Sequence, residues 1–110
     1  MVSETLKSYV AALNAGDCDA IAELFALQSD FVDGGARPFK FPDVVASGRE
    51  GIREAFRGVF TTYEVRAEIV KLNPNSMEYD VFLAGLEIPC IGTATVDEEG
   101  KITEYLVRPR

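Results

Sequence analysis

The sequence has 110 residues, a length suited to one domain, with 47% hydrophobic and 26% charged residues, the balance of a soluble globular chain rather than a disordered one. Lys and Arg number 11 against 18 Asp and Glu, a net charge of −7, which argues against nucleic acid or an anionic membrane surface as a partner. Histidine is absent, so Ser-His-Asp and Cys-His nucleophile systems and His-ligated metal sites are excluded, and acid–base chemistry near neutral pH falls to carboxylates and tyrosines.

Leu6, Tyr9, Val10 and Leu13 recur at i, i+3, i+4, i+7 and predict an amphipathic first helix. Ser3 is placed to cap its start and Gly16 to end it in the left-handed conformation. Asp17 then caps a second helix with Ile21, Leu24 and Phe25 as its buried stripe. Phe31-Val32-Asp33 reads as a short strand ended by Gly34-Gly35. Residues 34–47 carry Pro38 and Pro42 with Phe39 and Phe41 between them, and read as an ordered loop with a short turn or edge strand. Ser47-Gly48-Arg49-Glu50 has the form of a capping box, with the Ser47 hydroxyl accepting the Glu50 amide. The third helix follows, with Ile52, Ala55, Phe56, Val59 and Phe60 on one side.

The remainder alternates as strands do. Tyr63, Val65, Ala67 and Ile69 share one face, Asn73-Pro74-Asn75-Ser76 turns the chain, and Met77, Tyr79, Val81 and Leu83 share the next face. Gly85 breaks that run; Ile88, Cys90, Gly92, Ala94 and Val96 form another face, and Asp97-Glu98-Glu99-Gly100 turns into a last strand from Ile102 to Arg108. Helices gathered early and hairpins late predict one α+β domain over residues 1–110, with a curved, mostly antiparallel sheet and three helices around a conical pocket. Ile91, Tyr105 and Val107 are expected on the exposed sheet face, where self-association would occur. The start, Met1 to Lys7, lacks a signal layout, no apolar run approaches the roughly 20 residues of a membrane span, and Cys18 and Cys90 are far apart with no CxxC pairing. A cytoplasmic protein with two reduced thiols is expected.

Three segments in order carry a family resemblance. Leu13-Asn14-Ala15-Gly16-Asp17 followed by Ala20-Ile21-Ala22-Glu23-Leu24-Phe25, then Gly48-Arg49-Glu50-Gly51-Ile52-Arg53-Glu54-Ala55-Phe56, then Glu99-Gly100-Lys101-Ile102-Thr103-Glu104-Tyr105 resemble the NTF2-like superfamily, nearest its ketosteroid isomerase-like and SnoaL-like branches. The resemblance implies the conical fold, a small apolar ligand, no metal or other cofactor, and a homodimer formed through the sheet. It places Tyr9 and Asp33 where ketosteroid isomerases carry a hydrogen-bonding tyrosine and a catalytic carboxylate. Asp33 would then move a proton beside a carbonyl while Tyr9 hydrogen-bonds the enolate. Phe25, Phe31, Phe56 and Gly92 are the expected substrate-binding positions.

One departure from the pattern stands out. The protonated acid that completes the family's oxyanion hole falls at Gly92, and losing one such donor typically costs about 10²–10³ in rate; Gly92 and Ala94 would instead leave room for a ligand. Other readings of the same residues are a core tyrosine at Tyr9 and, at Asp33, an aspartate bonding the amides of Gly34-Gly35. Together these leave a non-catalytic binding or dimerising domain. An epoxide hydrolase-like Asp-Arg-Asp set finds only Asp80, with Glu78 and Val107 at its other places. A polyketide cyclase of the SnoaL-like type would have to work without its usual histidines. Arg37 is positioned to close over an anionic ligand.

Overall fold

The computed structural model describes residues 2–110. The apolar stripe of the first segment folds as α1 (Val2–Ala15), which buries Leu6, Tyr9, Val10 and Leu13. Ser3 lies inside this helix rather than ahead of it. Gly16 ends it at φ 62°, a conformation that favours glycine. Asp17 caps α2 (Cys18–Glu23), its carboxylate accepting the Ala20 amide at 3.0 Å. The tight helix–helix corner is as expected.

The next strand differs from expectation. β1 spans Phe25–Asp33, so Phe25 opens a strand instead of closing the stripe of α2. The strand is irregular: between Phe25 and Asp30 it advances five residues while its partner advances two, from Ile102 to Glu104. Ser29, buried within this stretch, donates its hydroxyl to the Ala26 carbonyl at 2.9 Å, meeting its own hydrogen-bonding need locally. The bulge destroys the two-residue alternation that marks a strand, which is why the pattern showed only the last three residues.

After a 3₁₀ turn at Arg37–Phe39, a short edge strand β2 (Val44–Ser47) pairs antiparallel with β1 and leads into α3 (Gly48–Thr62). Ser47 stands opposite Asp30 and donates to its carboxylate at 3.0 Å. No capping box forms, because the hydroxyl is drawn across the sheet edge. Glu50 pairs with Arg53 instead, and Arg53 also meets Asp19 at 2.8 Å, tying α3 to α2. Tyr63 is the C-terminal cap of α3, and β3 begins beyond it (Arg66–Leu72), followed by β4 (Ser76–Leu83), β5 (Leu86–Val96) and β6 (Ile102–Pro109).

The six strands form one sheet in the order β2-β1-β6-β5-β4-β3, parallel only between β1 and β6. Three helices pack on its inner face. The core includes Phe31, Met77, Tyr79, Ile88, Cys90 and Ala94 from that face. Tyr105 and Val107 also point inward and are almost fully buried, contrary to the expected outer placement. The cause is Thr103, an extra residue in β6 where the register with β5 steps from Thr95–Glu104 to Val96–Ile102. One inserted residue reverses the parity of everything after it.

The edge strand β3 is held from the helix side by one side chain. Asn14, in the last turn of α1, accepts the Ala67 amide at 2.7 Å and donates to the Ala67 carbonyl at 3.0 Å, so a side-chain amide takes the place of a neighbouring strand. Asn14→Ala leaves both groups of a buried residue unpaired and is expected to cost about 1–3 kcal/mol, read as a lower denaturant midpoint with an unchanged slope.

Candidate functional site

Between α1, α3, the inner sheet face and the loop of residues 34–43 lies a cavity of about 310 Å³. Its walls are mostly apolar: Leu13, Phe31, Phe56, Val59, Val81 and Leu83, with Ala36, Phe41 and Pro42 from the loop. Phe41 meets Tyr63 edge to face at 6.5 Å, joining the loop to the end of α3. A second, wider groove of about 1070 Å³ runs from Tyr63 past β3 to the β4–β5 turn, but contains neither Asp33 nor Tyr9.

Asp33 is the last residue of β1. Two residues beyond the inward Phe31, its side chain enters the cavity. Oδ1 accepts the Gly35 amide at 2.9 Å, while Oδ2 has no hydrogen-bond partner among the described residues. A glycine is needed for this turn, because a Cβ at Gly35 would lie 2.6 Å from the Cys90 Sγ and 3.1 Å from Asp33 Oδ1. Burial holds the Asp33 carboxyl above the ordinary carboxylate range; the Gly35 amide opposes this rise, and the charge of Asp43 adds to it.

Tyr9 reaches the same cavity from α1. Its hydroxyl adjoins that of Tyr79, to which the Tyr105 hydroxyl donates at 3.3 Å. Burial, reinforced by the neighbouring charge of Asp33, pushes all three phenols above their ordinary value, so they stay protonated as donors. Three phenols from α1, β4 and β6 therefore cluster beside one carboxylate.

Several expected positions move. Gly92 does not open space for a ligand: a Cβ there would sit 2.1 Å from the Tyr105 hydroxyl oxygen, so Tyr105 occupies the room that the missing side chain leaves. Phe25 is fully buried and packs edge-on against Phe31 at 6.0 Å, outside the cavity wall. Phe31 and Phe56 do line the cavity. Arg37 is engaged by Asp43 through two bonds of 2.9 and 2.6 Å, which bracket the loop and take up the guanidinium. Asp80 is bound by Arg110 at 2.8 Å, and its neighbour Tyr79 supplies the inward position of β4. Cys90 is held up to about 12 by burial and by the charges of Asp33 and Asp80, against the pull of Arg110; at neutral pH it is a thiol and not a nucleophile.

The sequence reading missed Tyr79 and Tyr105 as site residues. Alternation with Met77 and Val81 places Tyr79 inward, and that signal was present. Tyr105 carried no such signal, because the bulge at Thr103 reverses its face.

A carboxyl raised by burial carries a stability consequence. Ionising Asp33 costs the fold nothing below the ordinary carboxylate range, progressively more as the pH rises through it, and the full amount above the raised value. Asp33→Asn is therefore expected to raise the melting temperature at neutral pH and to lose that advantage as the pH falls below the ordinary carboxylate range, measured by thermal melts across pH.

The SnoaL-like domain family matches residues 6–105. No curated protein matches the chain. Among solved structures, the chain is similar to an uncharacterised cystatin-fold protein from Novosphingobium aromaticivorans, at 18% identity over 96% of each chain with a TM-score of 0.78. It is also similar to a hypothetical protein of ketosteroid isomerase-like fold from Catenulispora acidiphila, solved in complex with trimethylamine, at 20% identity over 94% of this chain and 83% of that one with a TM-score of 0.75. The conical α+β architecture and the match over nearly the whole length agree: the chain belongs to the SnoaL-like domain family within the NTF2-like superfamily.

Proposed function

We propose that the protein is a proton-transfer enzyme acting on a small apolar ketone, with Asp33 as general base and Tyr9 as donor to the carbonyl oxygen. The observation that carries this reading is the Asp33 Oδ2, without a hydrogen-bond partner among the described residues, in the same apolar cavity as Tyr9 and Tyr79, with the buried Tyr105 donating to Tyr79. Asp33 removes a proton from the carbon next to the carbonyl, the electron pair moves to the oxygen as an enolate, and the same carboxyl returns the proton to another carbon. Its raised proton affinity makes it a stronger base than an exposed carboxylate. With Tyr105 donating to Tyr79, the Tyr79 proton is free to turn to the neighbouring Tyr9 oxygen, which leaves the Tyr9 proton for the enolate, and each bond in such a chain strengthens the next. That arrangement supports a single strong donor where the ketosteroid isomerase pattern has two.

The cavity's size supports the smaller substrates. An apolar cavity of about 150 Å³ holds benzene, and by that scale the 310 Å³ here suits a molecule of roughly a dozen heavy atoms. A one- or two-ring ketone fits that volume, whereas a four-ring steroid exceeds it. The test is conversion of 3-cyclohexen-1-one to its conjugated 2-ene isomer, followed by ultraviolet absorbance. Turnover is expected, with Asp33→Asn lowering kcat by about 10²–10⁴ at little change in KM, and Tyr105→Phe lowering it by a smaller factor. Absence of turnover by the unmutated protein with this ketone and with a 5-ene-3-ketosteroid overturns the reading. Binding without turnover would instead establish the non-catalytic small-molecule module that the same cavity could serve.

Self-association through the sheet is part of the proposal. Val32 and Val45 face each other across β1 and β2 on the side opposite the helices, and Val32 also adjoins Leu106 of β6. Val45 and Leu106 are exposed, at 67% and 39%, and an apolar strip of this kind suits a second copy. Leu106→Glu is expected to shift sedimentation from dimer to monomer. The free thiols of Cys18 and Cys90 fit a reducing, cytoplasmic setting. Among the described residues, no helix is long and apolar enough to cross a membrane.

A further inference from the structure

The cavity presents an unusual pairing of wall chemistry and charge. Tyr9, Phe31, Phe41, Phe56, Tyr63 and Tyr79 bring six aromatic rings to it from α1, α3, the sheet and the loop. Asp33 is the one charged side chain in its wall, and among the described residues no Lys or Arg lines it. Arg37 and Arg110 are committed elsewhere, to Asp43 and Asp80. Among the described residues, the carboxylate keeps Oδ2 unpartnered. We propose that the cavity is a binding site for a small lipophilic ammonium cation, with the head group on Asp33 Oδ2 and its alkyl groups against the aromatic walls.

A buried carboxylate without a counter-charge is costly, and a ligand that brings the positive charge removes that cost. Aromatic faces attract cations through the ring quadrupole, most strongly where water is excluded, and they also accept the apolar alkyl surface of such a head group. The volume of about 310 Å³ admits a head group with several alkyl substituents but not a large amphiphile. An anionic ligand would meet Asp33 with no cation to answer it. A neutral ligand of the same shape would fill the walls but leave the carboxylate uncompensated. This inference does not depend on the proposed catalysis, since it concerns equilibrium binding alone.

Choline and its carbon isostere 3,3-dimethylbutan-1-ol have the same shape and differ in charge, which makes them a direct probe. Titrations followed by protein NMR shifts are expected to show choline binding at least tenfold more tightly, with shifts centred on Asp33, Phe56 and Tyr79. Asp33→Asn is expected to erase the preference while the affinity for the neutral alcohol is retained, which also demonstrates that the variant is folded and its cavity intact. Equal or weaker binding of choline than of the alcohol, a preference that survives in Asp33→Asn, shifts confined to the wider groove near Glu64 and Glu87, or binding of neither compound would each overturn the proposal. Ketone turnover by the unliganded protein is a separate measurement, so the two readings stand or fall separately.

Discussion

The geometry of the cavity depends on the parallel pairing of β1 with β6. Phe31 stands beside Tyr105 and Asp33 beside Val107, so strands far apart in the chain place the carboxylate and the third phenol on one surface. β1 has β2 on its other side, only a four-residue strand, and could not hold its bulged course without β6. The pairing is anchored at both ends: the Ile102 amide donates to the Leu24 carbonyl at 2.8 Å, and the Gly34 amide to the Val107 carbonyl at 2.8 Å. The second of these bonds lies at the turn that lets Gly35 meet Asp33. A β1 displaced by one residue would send Phe31 and Asp33 to the outer face and leave the cavity without chemistry.

The same pairing explains why no side chain stands at Gly92. Tyr105 reaches across β5 to the point where a side chain at Gly92 would begin. The two positions compete for one volume, and here the phenol holds it. Its ring stacks on Phe31 at 5.9 Å and lies 4.9 Å from that of Tyr9, so the tyrosine chain is part of the aromatic core as well as part of the site. The polar groups are thus embedded in packing that fixes them, which is what a preorganised donor needs. The cost falls on Asp33, whose charge is buried for one backbone amide in return.

The loop over the cavity shows a similar division of labour. Phe41 and Pro42 face inward, while Arg37 and Asp43 bracket the loop on the outside with a two-bond pair. An exposed pair of this kind adds little stability, but it joins the two ends of the loop and engages the Arg37 guanidinium. The site is left with a single charge in apolar surroundings.

Much of this was legible in the residues. Periodicity located α1 and α3, Gly16 and Asp17 marked the first corner, and the inward run Met77, Tyr79, Val81 located the wall opposite the helices. Helical and strand periods depend on local backbone geometry, which each segment carries in itself. Tyr9 was readable for the same reason, and Asp33 because a strand ending at Gly34-Gly35 must present its last side chain. Pairing partners and bulges were not legible. Phe25 became a strand residue because Ile102 was there to pair with it, Ser47 left its cap because Asp30 stood across from it, and Tyr105 turned inward because Thr103 is one residue too many for β5. Each of these depends on a partner distant in sequence, so only the tertiary structure decided them. By itself the sequence determined the kind of chemistry available, one without histidine, carried by carboxylates and phenols; the folded sheet decided which carboxylate and which phenols share a cavity.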